Sequence, residues 1–209
     1  MKPSDLLAAL EAYCGNKQIY STLCGIDKVC RKTPACAAGS AHGMIDFDTF
    51  EAQYCHLNGC PAIASSDGLT TNSADSTLFF VELKSWSRVM RNPKTGAVAT
   101  TDIIDNKAQK YRESLQKKHD GSVAMCRAVV GDDAFDAIPL AVVFVTDIDT
   151  GREPLTSIAS NLNYLAGGAS LADYCNSRMQ SELKQITKVK VYYTDCRRFD
   201  SDIETFSNV

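Results

Sequence analysis

No stretch of this 209-residue chain approaches the roughly 20 consecutive apolar residues that span a bilayer. That excludes a protein built on membrane-crossing helices. The opening Met1-Lys2-Pro3-Ser4-Asp5 lacks the basic-then-apolar order of a secretory leader, so a cytoplasmic location is expected. Positive charge is not in excess: 22 Lys and Arg face 25 Asp and Glu, for a net charge of −3. A nucleic acid partner therefore needs a local basic face, because phosphate contacts depend on nearby cations and not on the total. Histidine is scarce, at positions 42, 56 and 119 only, and none accompanies a G-x-S-x-G elbow. The Walker loop and the G-x-G-x-x-G fingerprint are missing too, which removes P-loop and dinucleotide-binding readings. No internal repeat or low-complexity segment occurs.

What is present is an ordinary globular balance, 44% hydrophobic and 22% charged, at a length that suits a single domain. Nine cysteines are the exception, and six of them fall between Cys14 and Cys60. Zinc sites favour tight C-x2-4-C pairs, and only Cys55 and Cys60 come near that spacing, with His42 and His56 available to complete a set. Disulfides are favoured by export, of which there is no sign. Free buried thiols are the expectation, with a zinc module in the N-terminal third as the competing one.

The most informative stretch is residues 77–86. Leu78 to Val81 is an apolar run following a polar turn cluster, which reads as a buried strand. Glu82 and Lys84 then arrive two residues apart, so on a strand they share a face. Charges inside an apolar strand are costly unless they are paired or used. A carboxylate and an ammonium side by side suit metal-assisted hydrolysis, the first holding a cation and the second neutralising charge in the transition state.

Around this stretch, residues 4–15 read as a helix capped by Ser4 or Asp5 and ended by Gly15. Glu11, in its second half, reads as a solvated carboxylate. Residues 17–43 look irregular, apart from a helical turn near 19–23, with a basic cluster of Lys28, Arg31 and Lys32. Residues 44–50 alternate like a strand, with Asp46 and Asp48 on one face where they could help hold a cation. Residues 60–68 are a second strand, forming a hairpin with 77–86. Folding it about Asn72 sets Ile63 opposite Glu82, where there is no acid; Asp67 is the nearest acid, closer to the loop. Residues 87–101 read as a loop carrying Arg88, Arg91 and Lys94, with a turn at 92–96. Residues 102–118 read as a basic amphipathic helix, with Ile103, Ile104, Ala108, Tyr111 and Leu115 on its buried side. Residues 139–146 are a buried strand, 123–130 another helical turn or strand, 164–184 mostly helix, and 189–194 a last, partly exposed strand. Alternating strands and helices argue an α/β layered domain.

This order, with Val81-Glu82-Leu83-Lys84 as its E-x-K element, resembles the PD-(D/E)xK nuclease superfamily over residues 60–146. The resemblance implies a restriction-endonuclease-like fold, a central mixed β-sheet flanked by helices. Residues 1–209 would be one domain, with a cysteine-rich N-terminal part at about 14–60 and a nuclease-like core at about 44–199. It implies divalent-metal-dependent hydrolysis of phosphodiester bonds in DNA or RNA, with Mg²⁺ or Mn²⁺ as cofactor and nucleic acid as partner. Glu82, Lys84 and Asp67 would be catalytic, and Asp67, Glu82 and Asp48 would hold the metal. Some members carry Gln-x-x-x-Tyr on the following helix; here Lys107-x-x-x-Tyr111 has that spacing, so Lys107, Tyr111 and the loop residue Arg88 would contact substrate. The alternative is a catalytically inactive nuclease-fold protein that binds or interacts.

Overall fold

The computed structural model describes residues 1–15, 17–27, 39–150 and 170–206. Lys28, Arg31, Lys32, Cys30, Cys36 and the first part of the expected 164–184 helix lie outside them. The two most apolar runs form adjacent parallel strands at the centre of a six-stranded mixed sheet, β4 (Leu78–Lys84) and β5 (Leu140–Thr146). The sheet runs in chain order, with β1 (Tyr20–Thr22), β2 (Gly43–Asp46), β3 (Gly68–Thr71) and β4 antiparallel in succession. β6 (Lys190–Asp195) adds in parallel to β5 at the far edge. The architecture is thus α/β, a central mixed sheet with helices on both faces, and no helix among the described residues is long and apolar enough to cross a membrane.

Side-chain alternation along β4 builds both halves of the core. Leu78 and Phe80 face one layer, with α1 (Pro3–Cys14), α3 (Phe47–Asn58), α5 (Thr101–Val130) and α7 (Leu171–Leu183). Phe79 and Val81 face the other, with α2 (Leu23–Ile26) and α8 (Phe199–Thr205). Each such fully buried side chain contributes about 1.5–3 kcal/mol. Two short helices complete the chain, α4 (Trp86–Met90) and α6 (Asp132–Asp136).

Five expectations change. Where a helical turn near 19–23 is expected, Tyr20–Thr22 is strand β1, paired with β2, and helix begins only at Leu23, capped by the Thr22 hydroxyl. The 44–50 strand ends at Asp46, whose carboxylate accepts from Thr49 N (3.1 Å) and Thr49 Oγ1 (2.9 Å) and so starts α3. Phe47 and Phe50 then bury side by side at helical spacing, with ring centroids 4.9 Å apart. Residues 60–67 run alongside the sheet without being a strand; β3 begins only at Gly68. The 87–101 loop opens with α4, capped by the Ser85 hydroxyl, before the expected turn, where Asn92 Oδ1 accepts from Lys94 N (2.9 Å). Finally, α5 starts at Thr101 and does not stop at Lys118 but continues to Val130, and Ile103, expected on its buried side, is exposed while its neighbour Ile104 is buried. Its continuation past Gly121 exists because that glycine lets another backbone in: a Cβ there would lie 2.1 Å from the Ala64 carbonyl oxygen.

The seven described cysteines are free thiols, and burial pushes the Cys55 thiol up to about 12. His42 Nε2 pairs with Thr70 Oγ1 at 2.8 Å, and Cys55 Sγ donates to Glu51 Oε1 at 3.3 Å. Among the described residues, no three His, Cys, Asp or Glu side chains gather as a ready-made metal shell.

Candidate active site

Glu82 and Lys84 lie at the end of β4 on the α5 side of the sheet, as alternation requires. What stands beside them is decided by register. β3 pairs with β4 as Gly68 with Val81 and Leu69 with Phe80, so the next position brings Asp67 opposite Glu82. Asp67 N donates to Val81 O (3.0 Å), and Leu83 N donates to Asp67 Oδ2 (2.8 Å). The hairpin therefore turns two residues later than a fold about Asn72 supposes. Asn72 Oδ1 accepts from Ser76 N (3.1 Å), Asp75 N donates to Asn72 O (2.9 Å), and Asp75 takes a left-handed φ of 51°. Ser4 of α1 holds the Asp75 carboxylate through its backbone N (2.8 Å) and its hydroxyl (2.6 Å), so tertiary contact fixes the turn.

A second lysine completes the group. Lys118 of α5 lies 2.7 Å from Asp67 Oδ1 and 3.0 Å from both oxygens of Glu82. Lys84 Nζ pairs with Glu82 Oε1, stands 3.7 Å from Asp67 Oδ2 and donates to the Leu83 carbonyl (3.0 Å). Glu82 is 1% exposed, while the side chains of Asp67, Lys84 and Lys118 are 20%, 19% and 21% exposed, so Glu82 is shut off from water and the three groups around it reach solvent. Burial, and then the neighbouring Asp67, push the Glu82 carboxyl above the usual range, while Lys84 and Lys118 pull it back. Burial works against charge on Lys118, but Glu82 and Asp67 outweigh it and lift the ammonium above the ordinary lysine range.

The placement of α5 aligns these groups. The extended segment before Asp67 presses on the helix at Gly121, and Ser66 N donates to the buried Ser122 Oγ (2.8 Å). Asp67 is thereby set one helical turn from Lys118. Two turns earlier on α5, Tyr111 packs edge-on against Trp86 (ring centroids 5.3 Å apart) and tilted against Phe144 (6.1 Å). Its ring is flanked by Lys84 Nζ at 5.8 Å and Lys107 Nζ at 5.4 Å. Burial, with Asp147 and then Glu82, pushes the Tyr111 hydroxyl up to about 12, which keeps it a donor.

Of the residues singled out in the sequence, the structure joins Asp67, Glu82, Lys84 and Tyr111, with Lys107 at the margin. Arg88 is exposed in the last turn of α4, four residues past Lys84. Asp48 does not join them: it lies exposed in the first turn of α3, because Asp46 turns the chain into a helix there. Sequence reasoning missed Lys118, although its spacing of seven from Tyr111, past the buried Leu115, placed it on the sheet-facing side of the helix.

Two carboxylates side by side, one on β4 and one just before β3, offer oxygen ligands of the kind Mg²⁺ and Mn²⁺ take, and Mg²⁺ keeps several waters, so two protein groups suffice. Glu82 Oε1 is buried and makes no hydrogen bond of regular geometry, only ion-pair contacts with the two ammonium groups. Its cation partners are thus the two lysines, and a metal ion held here would take a place that an ammonium group now fills. Comparisons with protein-family models, with curated proteins and with solved structures found no match to this chain.

Proposed function

We propose that the chain is a divalent-metal-dependent nuclease of the PD-(D/E)xK type, hydrolysing phosphodiester bonds in DNA or RNA. The observation that carries this reading is the β3–β4 register, which sets Asp67 beside Glu82 and Lys84. The run of antiparallel strands that ends in β4, followed by a helical crossover to the parallel strand β5, supports the restriction-endonuclease-like version of the fold. Asp67 and Glu82 are the residues that would hold Mg²⁺ or Mn²⁺. Bound there, the ion supplies a water of lowered pKa and neutralises charge on the leaving oxygen. Lys84, held by the Leu83 carbonyl and by Glu82, would stabilise the negative charge that builds on the phosphoryl oxygens. Tyr111 donates a hydrogen bond from the same side, and Lys107 and Arg88 bind flanking phosphates.

A second reading is favoured by one feature: the four charges of the site already neutralise one another, as in a purely structural ion-pair cluster. On that reading the protein binds a partner and cuts nothing. Incubation of labelled single- and double-stranded DNA and RNA with the protein and Mn²⁺ separates the two. Cleavage is expected from the wild type. In Lys84→Ala, kcat should fall by about 10²–10³, the size of losing one transition-state donor. Cleavage at the wild-type rate by Lys84→Ala removes Lys84 from the mechanism, and no cleavage by the wild type of any substrate leaves the binding reading.

A further inference from the structure

We infer that Lys118 is a resident cation of the site, one that bridges Asp67 and Glu82 in the metal-free protein and that a divalent ion must displace in order to bind. The inference rests on the nuclease reading and adds a residue outside the E-x-K strand. The Lys118 ammonium is 2.7 Å from one carboxylate and 3.0 Å from both oxygens of the other, the place between two carboxylates where a shared metal ion belongs. Asp67 and Glu82 with Lys84 and Lys118 sum to zero charge. A divalent ion added to all four would leave the pocket at +2, whereas departure of Lys118 leaves it at +1. Around a carboxylate shut off from water, like charges a few ångströms apart are strongly repelled.

The helix cannot make room, but the side chain can. The α5 backbone is held a turn later by Ala64 against Gly121 and by Ser66 on Ser122. The flexible four-carbon stem of Lys118 is 21% exposed, so an outward swing carries its ammonium into solvent. There it meets the phosphates of an arriving strand. Metal entry and nucleic acid binding are then coupled, each easing the other, because the phosphate stabilises the displaced lysine that the metal evicts. The arrangement also gives the metal-free protein an internal counter-ion, so the two carboxylates do not repel each other open.

Mn²⁺ titration of the wild type, Lys118→Gln and Lys118→Arg tests this. Lys118→Gln should bind Mn²⁺ at least ~10-fold more tightly than the wild type, since a competing cation is removed, and Lys118→Arg, which keeps the charge, should not. Phosphorothioate DNA should tighten Mn²⁺ binding to the wild type by a larger factor than to Lys118→Gln, because only the wild type gains the phosphate contact of the displaced lysine. A measurement on the unaltered protein stands apart from any folding defect: acetylation of Lys118 by an amine-reactive reagent, followed by mass spectrometry, should accelerate when Mg²⁺ is added. Equal Mn²⁺ affinity in all three proteins, a like change in both variants, or acetylation indifferent to Mg²⁺ overturns the inference while leaving the nuclease reading intact. Failure of the wild type and Lys118→Gln alike to bind Mn²⁺ removes both.

Discussion

Glu82→Gln is expected to abolish divalent-dependent cleavage, lowering kcat/KM by at least ~10³, because several kcal/mol of metal-borne stabilisation are lost at about 1.4 kcal/mol per tenfold. Glutamine keeps the shape and loses the charge, so any change in rate reports electrostatics and not a cavity. The variant carries a second signature. Lys84 and Lys118 both pair with this carboxylate, which is 1% exposed, and Asp67 alone remains to balance them. Breaking a buried ion pair from one side typically costs about 3–5 kcal/mol; glutamine still accepts hydrogen bonds, so urea denaturation should register only part of that. A folded Glu82→Gln that cuts as fast as the wild type would remove the carboxylate from the mechanism.

Gly121→Ala is the second large effect, and its interest lies in its sign. In an exposed helix interior this change stabilises by up to about 1 kcal/mol, because glycine is the poorer helix former. Here the new methyl would sit 2.1 Å from the Ala64 carbonyl oxygen and 3.0 Å from Ile63 Cγ2. The neighbour is backbone, so it must move as a unit, and forced overpacking of this kind costs about 1–3 kcal/mol. The segment that moves leads directly into Asp67, by way of the Ser66–Ser122 hydrogen bond. Unfolding in urea should show the loss in stability, and Mn²⁺ affinity should fall with it as Asp67 leaves Glu82. A stabilised Gly121→Ala would mean that the segment does not bear on the helix.

The sequence made the centre of the fold plain and the geometry of the site less so. Leu78 to Val81 and Ala141 to Val145 are unbroken apolar runs that only a sheet covered on both faces accommodates, so β4 and β5 could be read directly. The punctuation of α1 was equally plain, though the helix begins at Pro3 and Asp5 accepts from Lys2 N (3.0 Å) in its first turn. Register was not legible. Asn72 is a good turn former by its own chemistry, yet the turn closes later because Asp75 adopts a left-handed conformation that Ser4, far away in sequence, holds in place. Two residues of difference in the turn decided whether Ile63 or Asp67 faced Glu82. The 44–50 segment satisfied a strand pattern and a helix start at once, and the Asp46 side chain chose between them. Gly121 is a poor helix former by itself, and the close approach of Ala64, invisible in the sequence, is what makes glycine fit this helix interior. Lys118 carries a basic residue's ordinary signal and becomes a site residue only through that same packing. α8 was not foreseen at all; Phe199 and Ile203 mark it, spaced one turn apart and buried.

The pairing of Asp67 with Glu82 as one metal site is the centre of the account. A crystal soaked in Mn²⁺, with diffraction recorded at the manganese absorption edge, tests it most directly. The account predicts one anomalous peak held by carboxylate oxygens of both Asp67 and Glu82, with the Lys118 ammonium moved out of the gap between them. Crystals saturated with Mn²⁺ that show no peak there, with Lys118 still bridging the two carboxylates, would contradict it.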